Sequence, residues 1–165
     1  MEQTLRGGRA DSGFTYLPTS EDFEVWELLQ DEFIALFPPT FKPKGARLSW
    51  DALAHHPIIM PPETDATMLQ FYEHRLAFHC TLNVAYQVNT DSTIVSIVAR
   101  GLGVAVVPRL TAEPIPAGVQ VFSLPVPTYR VIGIAVLADA LQVPALFAFL
   151  DILKCKDLLM PKMLA

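Results

Sequence analysis

Between Leu82 and Arg109 the sequence LNVAYQVNTDSTIVSIVARGLGVAVVPR changes its apolar rhythm twice. Leu82, Val84, Tyr86 and Val88 alternate with less apolar positions, the period of a strand. Asn89, Thr90, Asp91 and Ser92 follow, and each has a side-chain oxygen able to take an amide of a helix's first turn. Ile94, Val95, Ile97 and Val98 then form a narrow apolar stripe on a short helix. Arg100 suits the negative end of that helix, and Gly101 suits the left-handed position after it. Val104, Ala105, Val106 and Val107 are wholly apolar, as in a strand covered on both faces of a parallel sheet. Pro108 lacks an N–H and should end the pairing. This strand–helix–strand unit predicts an α/β fold with right-handed crossovers. Its helix start, Thr90–Ser92, sits at the carboxyl end of a strand, where amides and hydroxyls can hold a carboxylate or another anion. The plainer reading is that these residues only cap the helix.

The rest of the chain gives weaker patterns of the same kind. Thr4–Arg6 reads as the tail of a helix ended by Gly7 and Gly8, and Ser12–Leu17 as a strand. Glu24–Leu29 and Glu32–Phe37 read as two strands separated by Gln30 and Asp31. Residues 38–45, PPTFKPKG, form a Pro-rich connection and a plausible lobe boundary. Ser49 is placed to cap a helix over Trp50–Ala54, and Ile58–Met60 is a brief buried strand. An amphipathic helix is expected over Ala66–Phe78, with Met68, Leu69, Phe71, Tyr72 and Leu76 on its apolar side. After the central unit come a Pro-rich loop at Thr111–Gly118 and a strand at Val119–Leu124. A second crossing follows at Pro125–Thr128, then a strand at Tyr129–Leu137. Val143–Lys156 reads as a helix whose face is Leu146, Phe147, Leu150 and Leu153, and the last residues as a loose tail.

Composition narrows the function. With 52% hydrophobic and 18% charged residues the chain is too apolar for disorder, and some apolar surface is expected to be covered by a partner or by further chain. A net charge of −5, from 12 basic and 17 acidic residues, is a poor match to a phosphate backbone. Two cysteines, Cys80 and Cys155, imply no disulfide framework and fit a reducing compartment, so the cytoplasm is expected. The start MEQTLRGGRADSG has no apolar core of a signal peptide. The apolar stretch Val131–Leu153 is interrupted by Asp139, Gln142, Pro144 and Asp151, so no membrane partner is expected.

Chemistry that would turn a substrate over is thin. His55 and His56 are adjacent, and His74 and His79 miss the spacing that places two ligands on one helix face, so no metal site and no cofactor are expected. Gly101-Leu102-Gly103 follows a helix, whereas a dinucleotide loop precedes one, and its third glycine is absent. No serine stands in a nucleophile elbow. Glu63 with Asp65 could be drawn as an acid pair, but two acids in a loop are ordinary. Hydroxyls and helix starts favour binding over catalysis, and the chain is read as no enzyme.

Four segments then carry a resemblance. They are LRGGRADSGF, FIALFPP followed by LSWDALAHHPIIM, IVSIVARGLGVAVVP, and YRVIGIAVLADALQVPALFAFLDIL. In this order, over most of Leu5–Lys154, they resemble the effector-binding domain of LysR-type transcriptional regulators. The resemblance implies a periplasmic-binding-protein-like type II α/β fold, with two Rossmann-like lobes joined by two crossing segments. Residues 1–37 with 129–156 would be lobe I, 38–128 lobe II with the crossovers, and 157–165 a tail. The family's winged helix-turn-helix, its linker helix, and the first strand and helix of lobe I have no counterpart in this sequence. The implied ligand is a small organic, anionic effector held between the lobes. The expected contacts are Thr15, Leu17 and Pro18; Pro61, Pro62, Glu63, Thr64 and Thr67; Thr90, Asp91 and Ser92; and Pro108. The implied partners are that effector, a second copy in a homo-oligomer, and DNA through the winged helix-turn-helix alone. Two other readings stay open: an interaction module that binds no ligand, and a solute-binding relative of the same fold.

Overall fold

A computed structural model of the chain describes residues 1–41, 48–79, 81–139 and 144–154. The chain divides into two units, Met1–Gln30 with Val131–Ala165, and Asp31–Arg130.

In the first unit, β1 (Gly13–Tyr16) pairs antiparallel with β7 (Tyr129–Leu137), and β7 lies beside β2 (Phe23–Phe37). Helix α1 (Glu2–Arg6) sends Leu5 against Phe23 and Ala135 on one face. Helix α6 (Pro144–Lys154) sends Leu146 and Leu150 against Ile134 and Val136 on the other. Arg6 ties the end of α1 to the residue before β2 by donating twice to Asp22, at 2.7 and 3.0 Å.

The second unit is built on a mixed sheet. Ile34–Phe37 of β2 lies between β5 (Val104–Pro108) and β6 (Gln120–Ser123), antiparallel to both. Beyond β5 come β3 (Ile58–Met60) and β4 (Val84–Gln87), with β3 parallel to both β5 and β4. Alternation along the central strands supplies two cores. Phe33, Ala35, Phe37, Ile58, Met60, Val104 and Val106 pack with Leu53 of α2 (Trp50–Ala54) and Phe71 and Tyr72 of α3 (Leu69–Ala77). On the other face Ile34, Leu36, Ile59, Ala105 and Val107 pack with Ile94, Val95 and Val98 of α4 (Asp91–Ala99), and with Ala112 of α5 (Arg109–Ala112). Helices on both faces explain why β5 is apolar at every position. Each of α4's buried side chains contributes about 1.5–3 kcal/mol by leaving water.

Several elements fall as the sequence indicates. Ser49 caps α2 by accepting from the Ala52 amide at 3.1 Å. Gly101 follows α4 at φ 80°, and β7 spans Tyr129–Leu137. Other expectations need correction. The two strands expected over 24–37 are one strand of 15 residues, because Asp31 is neutralised in place by Arg130 and does not interrupt the ladder. The helix expected over 66–78 is a 3-10 turn, Ala66–Met68, followed by α3. Leu69 and Leu76 of α3, and Phe147 of α6, are exposed, since each lies off the stripe that faces its sheet. Thr111 and Ala112, at the start of the expected loop, belong to a short helix, α5. The α4 start has Thr90 as N-cap with no side-chain cap bond; its carbonyl accepts from Thr93 and Ile94 instead. Cys80, Cys155 and the tail at 157–165 lie outside the described residues.

Candidate functional site

Because β3, β4 and β5 run parallel, their carboxyl ends open on one edge of the second unit's sheet. Met60 is paired with Gln87, and Ile59 with Ala105. Three turns leave that edge: residues 61–67 after β3, 88–90 into α4, and Pro108 into α5. The edge of a parallel sheet where chains leave strands for helices is where α/β folds place ligands.

The first turn is held from below. Pro61 is buried and its carbonyl accepts from the Tyr72 hydroxyl at 2.9 Å. Pro62 is half-buried, and Glu63 and Thr64 are exposed. Glu63 accepts from Arg75 at 3.1 Å, and the Arg75 guanidinium lies over the Tyr72 ring, 5.3 Å from its centroid. Asp65 turns inward, and its Oδ1 accepts from the Thr67 amide at 2.9 Å. The amide of Thr67 is therefore already engaged, and its hydroxyl is what it can offer a ligand.

The second turn brings Thr90, Asp91 and Ser92. Thr90 and Ser92 are exposed, and Asp91 is half-buried as the first residue of α4. Burial pushes the Asp91 carboxyl above its usual range, a hydrogen bond from the Thr111 hydroxyl draws it back, Asp65 raises it and Arg130 lowers it. Asp65 of the first turn, Asp91 of the second and Thr111 of α5 therefore act on one another. The third turn joins the same group. Pro108, buried at the end of β5, accepts from the Thr111 hydroxyl at 3.0 Å.

Beneath this edge lies an ion pair that sequence reasoning missed. Asp31 of β2 and Arg130 of β7 are each 1% exposed. Asp31 Oδ2 accepts from Arg130 Nε at 2.9 Å and lies 2.8 Å from Nη2, while Oδ1 accepts from the Leu110 amide at 3.0 Å. Its signal in the sequence was one acid and one base, of opposite sign, each set into an apolar strand.

Thr15, Leu17 and Pro18 belong to the first unit. Thr15 lies in β1 and donates to the Tyr16 carbonyl at 3.4 Å, and the Leu17 amide donates to Val131 at 3.0 Å. Among the described residues no group of three or more His, Cys, Asp or Glu is placed to hold a metal ion. No helix among them is long and apolar enough to cross a membrane.

Set beside known proteins, residues 1–157 match the LysR substrate binding domain. The chain belongs to the LysR substrate-binding domain family. A curated relative from Synechococcus elongatus, "Probable HTH-type transcriptional regulator LrrA", is 47% identical over 154 residues, which cover 93% of this chain and 52% of the relative. The chain thus spans about half the length of the curated relative it matches. Among solved structures, the Synechocystis PCC6803 CcmR regulatory domain in complex with 2-PG superposes with a TM-score of 0.80 at 17% identity, covering 92% of this chain and 76% of that one. The effector binding domain of QuiR in complex with shikimate does so with a TM-score of 0.78 at 20% identity, covering 92% and 74%. At such identities the likeness is one of fold. This LysR substrate-binding domain has the periplasmic-binding-protein-like type II fold that the four sequence segments implied.

Proposed function

We propose that this LysR substrate-binding domain is the effector sensor of a transcriptional regulator. In this reading it binds a small organic acid at the edge formed by residues 61–67, 89–92 and 108–111. The reading is supported most by one observation: three turns leave the carboxyl ends of the parallel strands β3, β4 and β5 on one edge, and Asp91 in the second is acted on by Asp65 in the first. The 2-PG and shikimate in the two solved relatives point the same way. Asp65 and Asp91 are acceptors, and Thr64, Thr67, Thr90 and Ser92 on the same two turns carry hydroxyls. That set suits a ligand carrying hydroxyl groups beside its acid better than a bare inorganic anion. Binding shifts the domain between states and a winged helix-turn-helix outside this chain reports it, with the regulator acting as an oligomer in the cytoplasm and catalysing nothing.

The test is thermal unfolding of the 165-residue chain with shikimate, 2-PG, a panel of other hydroxylated acids, and inorganic phosphate. A ligand present at 100 times its Kd stabilises by about 2.7 kcal/mol, a rise of several degrees. A hydroxylated acid should give that rise, and Ser92→Ala with Thr64→Val should reduce it. No rise with any organic acid, or the same rise with phosphate alone, would overturn the reading.

A further inference from the structure

We propose that Asp31 and Arg130 are positioning residues for this ligand-binding edge: a buried clasp that fixes the turn after β5 and, through it, the carboxylate of Asp91. The inference rests on the proposed function for the word "ligand", but its test needs none.

The chain of contacts is continuous and lies wholly within the second unit. Arg130 holds Asp31 Oδ2 through two nitrogens, at 2.9 and 2.8 Å. That leaves Oδ1 to accept from Leu110 at 3.0 Å, in the first turn of α5. The N-cap of α5 is Pro108, which has no side-chain oxygen to cap with. Asp31 therefore does a cap's work from 79 residues away in sequence. The next residue, Thr111, places its hydroxyl 3.0 Å from the Pro108 carbonyl and in hydrogen-bonding reach of Asp91. The hydroxyl has one proton for these two acceptors. An ionised Asp91 draws it, whereas a protonated Asp91 can donate to the hydroxyl and leave that proton to Pro108.

The pair also carries charge to the same place. Arg130 acts on Asp91 directly, favouring its ionised form, and the Asp31 carboxylate, 2.8 Å from Arg130, carries the opposite charge. The groups that bear on Asp91 are thus Thr111 from α5, Asp65 from the 61–67 turn and Arg130 from β7. A buried ion pair is weak support for stability by itself, since burying two charges costs about as much as their attraction returns. Its clearer consequence is geometric. Asp31 and Arg130 are the two end residues of the second unit, on the two strands that run on into the first.

The test is a titration of the Asp91 carboxyl carbon by NMR in the 165-residue chain without ligand, for the parent, Arg130→Gln, Arg130→Lys and Asp31→Asn. Arg130→Gln should move the Asp91 titration to higher pH and Asp31→Asn to lower pH, each on the order of a few tenths of a unit or more. Arg130→Lys should stay near the parent. A purely structural role would shift both neutralising variants the same way, and that result, or no shift in either folded variant, would overturn the proposal. Should a buried variant not fold, amide exchange in the parent decides. The Leu110 amide should exchange as slowly as those of β5, although its side chain is exposed. Exchange at the rate of an open turn would equally sink the clasp. Both readouts can fail while an organic acid still binds, or hold while none does, so the two proposals stand or fall separately.

Discussion

The Tyr72 hydroxyl donates to the Pro61 carbonyl at 2.9 Å, with both residues buried. Tyr72 belongs to α3, and Pro61 begins the turn that carries Glu63, Thr64 and Thr67. Burial first, then the charges of Glu63 and Asp65, push the phenol up to about 12, so it stays a donor at any ordinary pH. One phenol thus fixes the start of the turn that leaves β3.

Tyr72→Phe keeps the ring and leaves the Pro61 carbonyl without its partner. The expected loss is about 1–3 kcal/mol, the cost of an unsatisfied buried acceptor. Urea unfolding measures the loss, and amide shifts at residues 63–67 should change while those of β1 do not. An unaltered midpoint would remove Tyr72 from this role.

The Gly101-Leu102-Gly103 motif divides into two different needs. Gly101 sits at φ 80° with open space around it. Gly103 lies against β3, where an added Cβ would meet the Pro57 carbonyl oxygen at 2.6 Å and Ile59 Cδ1 at 2.9 Å. Gly101→Ala should cost about 1–2 kcal/mol from the left-handed backbone. Gly103→Ala meets backbone held by the Ile58–Val104 pairing and should cost more, about 1–3 kcal/mol, with disturbed shifts in β3. Equal midpoints for the two variants would contradict the packing argument.

How much of this was legible in the sequence follows from the range of each interaction. The α4–Gly101–β5 unit is set by neighbours in the chain, and its bounds could be read to within a residue or two. A short, wholly apolar run likewise gave β3, and Tyr129–Leu137 was read as the strand that became β7. The turns at the β3, β4 and β5 edge were legible, because loops after parallel strands follow from topology. The bonds that tune those turns were not. Asp31 bonds partners 79 and 99 residues away, and no local rhythm encodes that; the same pair made one strand look like two. Thr90 looked like a side-chain cap because its residue type permits one, and the residue beside it, Asp91, turned out to be engaged by α5. The exposed positions of Leu69, Leu76 and Phe147 show the limit of helical periodicity, which marks a stripe but not how wide a strip the sheet covers.

Asp91 sets a dependence on pH whose sign can be worked out. Burial raises its folded value above 3.8, so the folded chain holds this proton more tightly than the unfolded one. The contribution is fully present below 3.8 and is lost as pH rises through the raised folded value. At pH 7 the ionised group therefore weighs against the fold. Asp91→Asn keeps a partner for Thr111 and removes the charge. It should be more stable than the parent at neutral pH, with the advantage shrinking toward the acid range. Paired urea curves at several pH values check this, and a variant less stable than the parent at pH 7 would refute it.

The two inward histidines give the opposite slope in a higher window. His56 packs edge-on against Phe37 and Phe41, each at 5.5 Å, and burial followed by the neighbouring charge of His55 lowers its pKa from 6.5. His74 lies between Trp50 and Phe78, at 5.9 and 4.6 Å, and burial lowers it too, against a hydrogen bond to the Val126 backbone. The unfolded chain binds these protons first as pH falls below 6.5, so stability declines from there until the lowered folded values are passed. His56→Gln with His74→Gln removes both sites. The double variant starts below the parent at pH 8, because ring packing is lost, but the gap should narrow steadily between pH 7 and 5. Asp91 moves stability the other way and is present in both proteins, so it cancels in the difference. Unfolding free energies that run parallel across that interval would show that neither imidazole is held neutral by the fold.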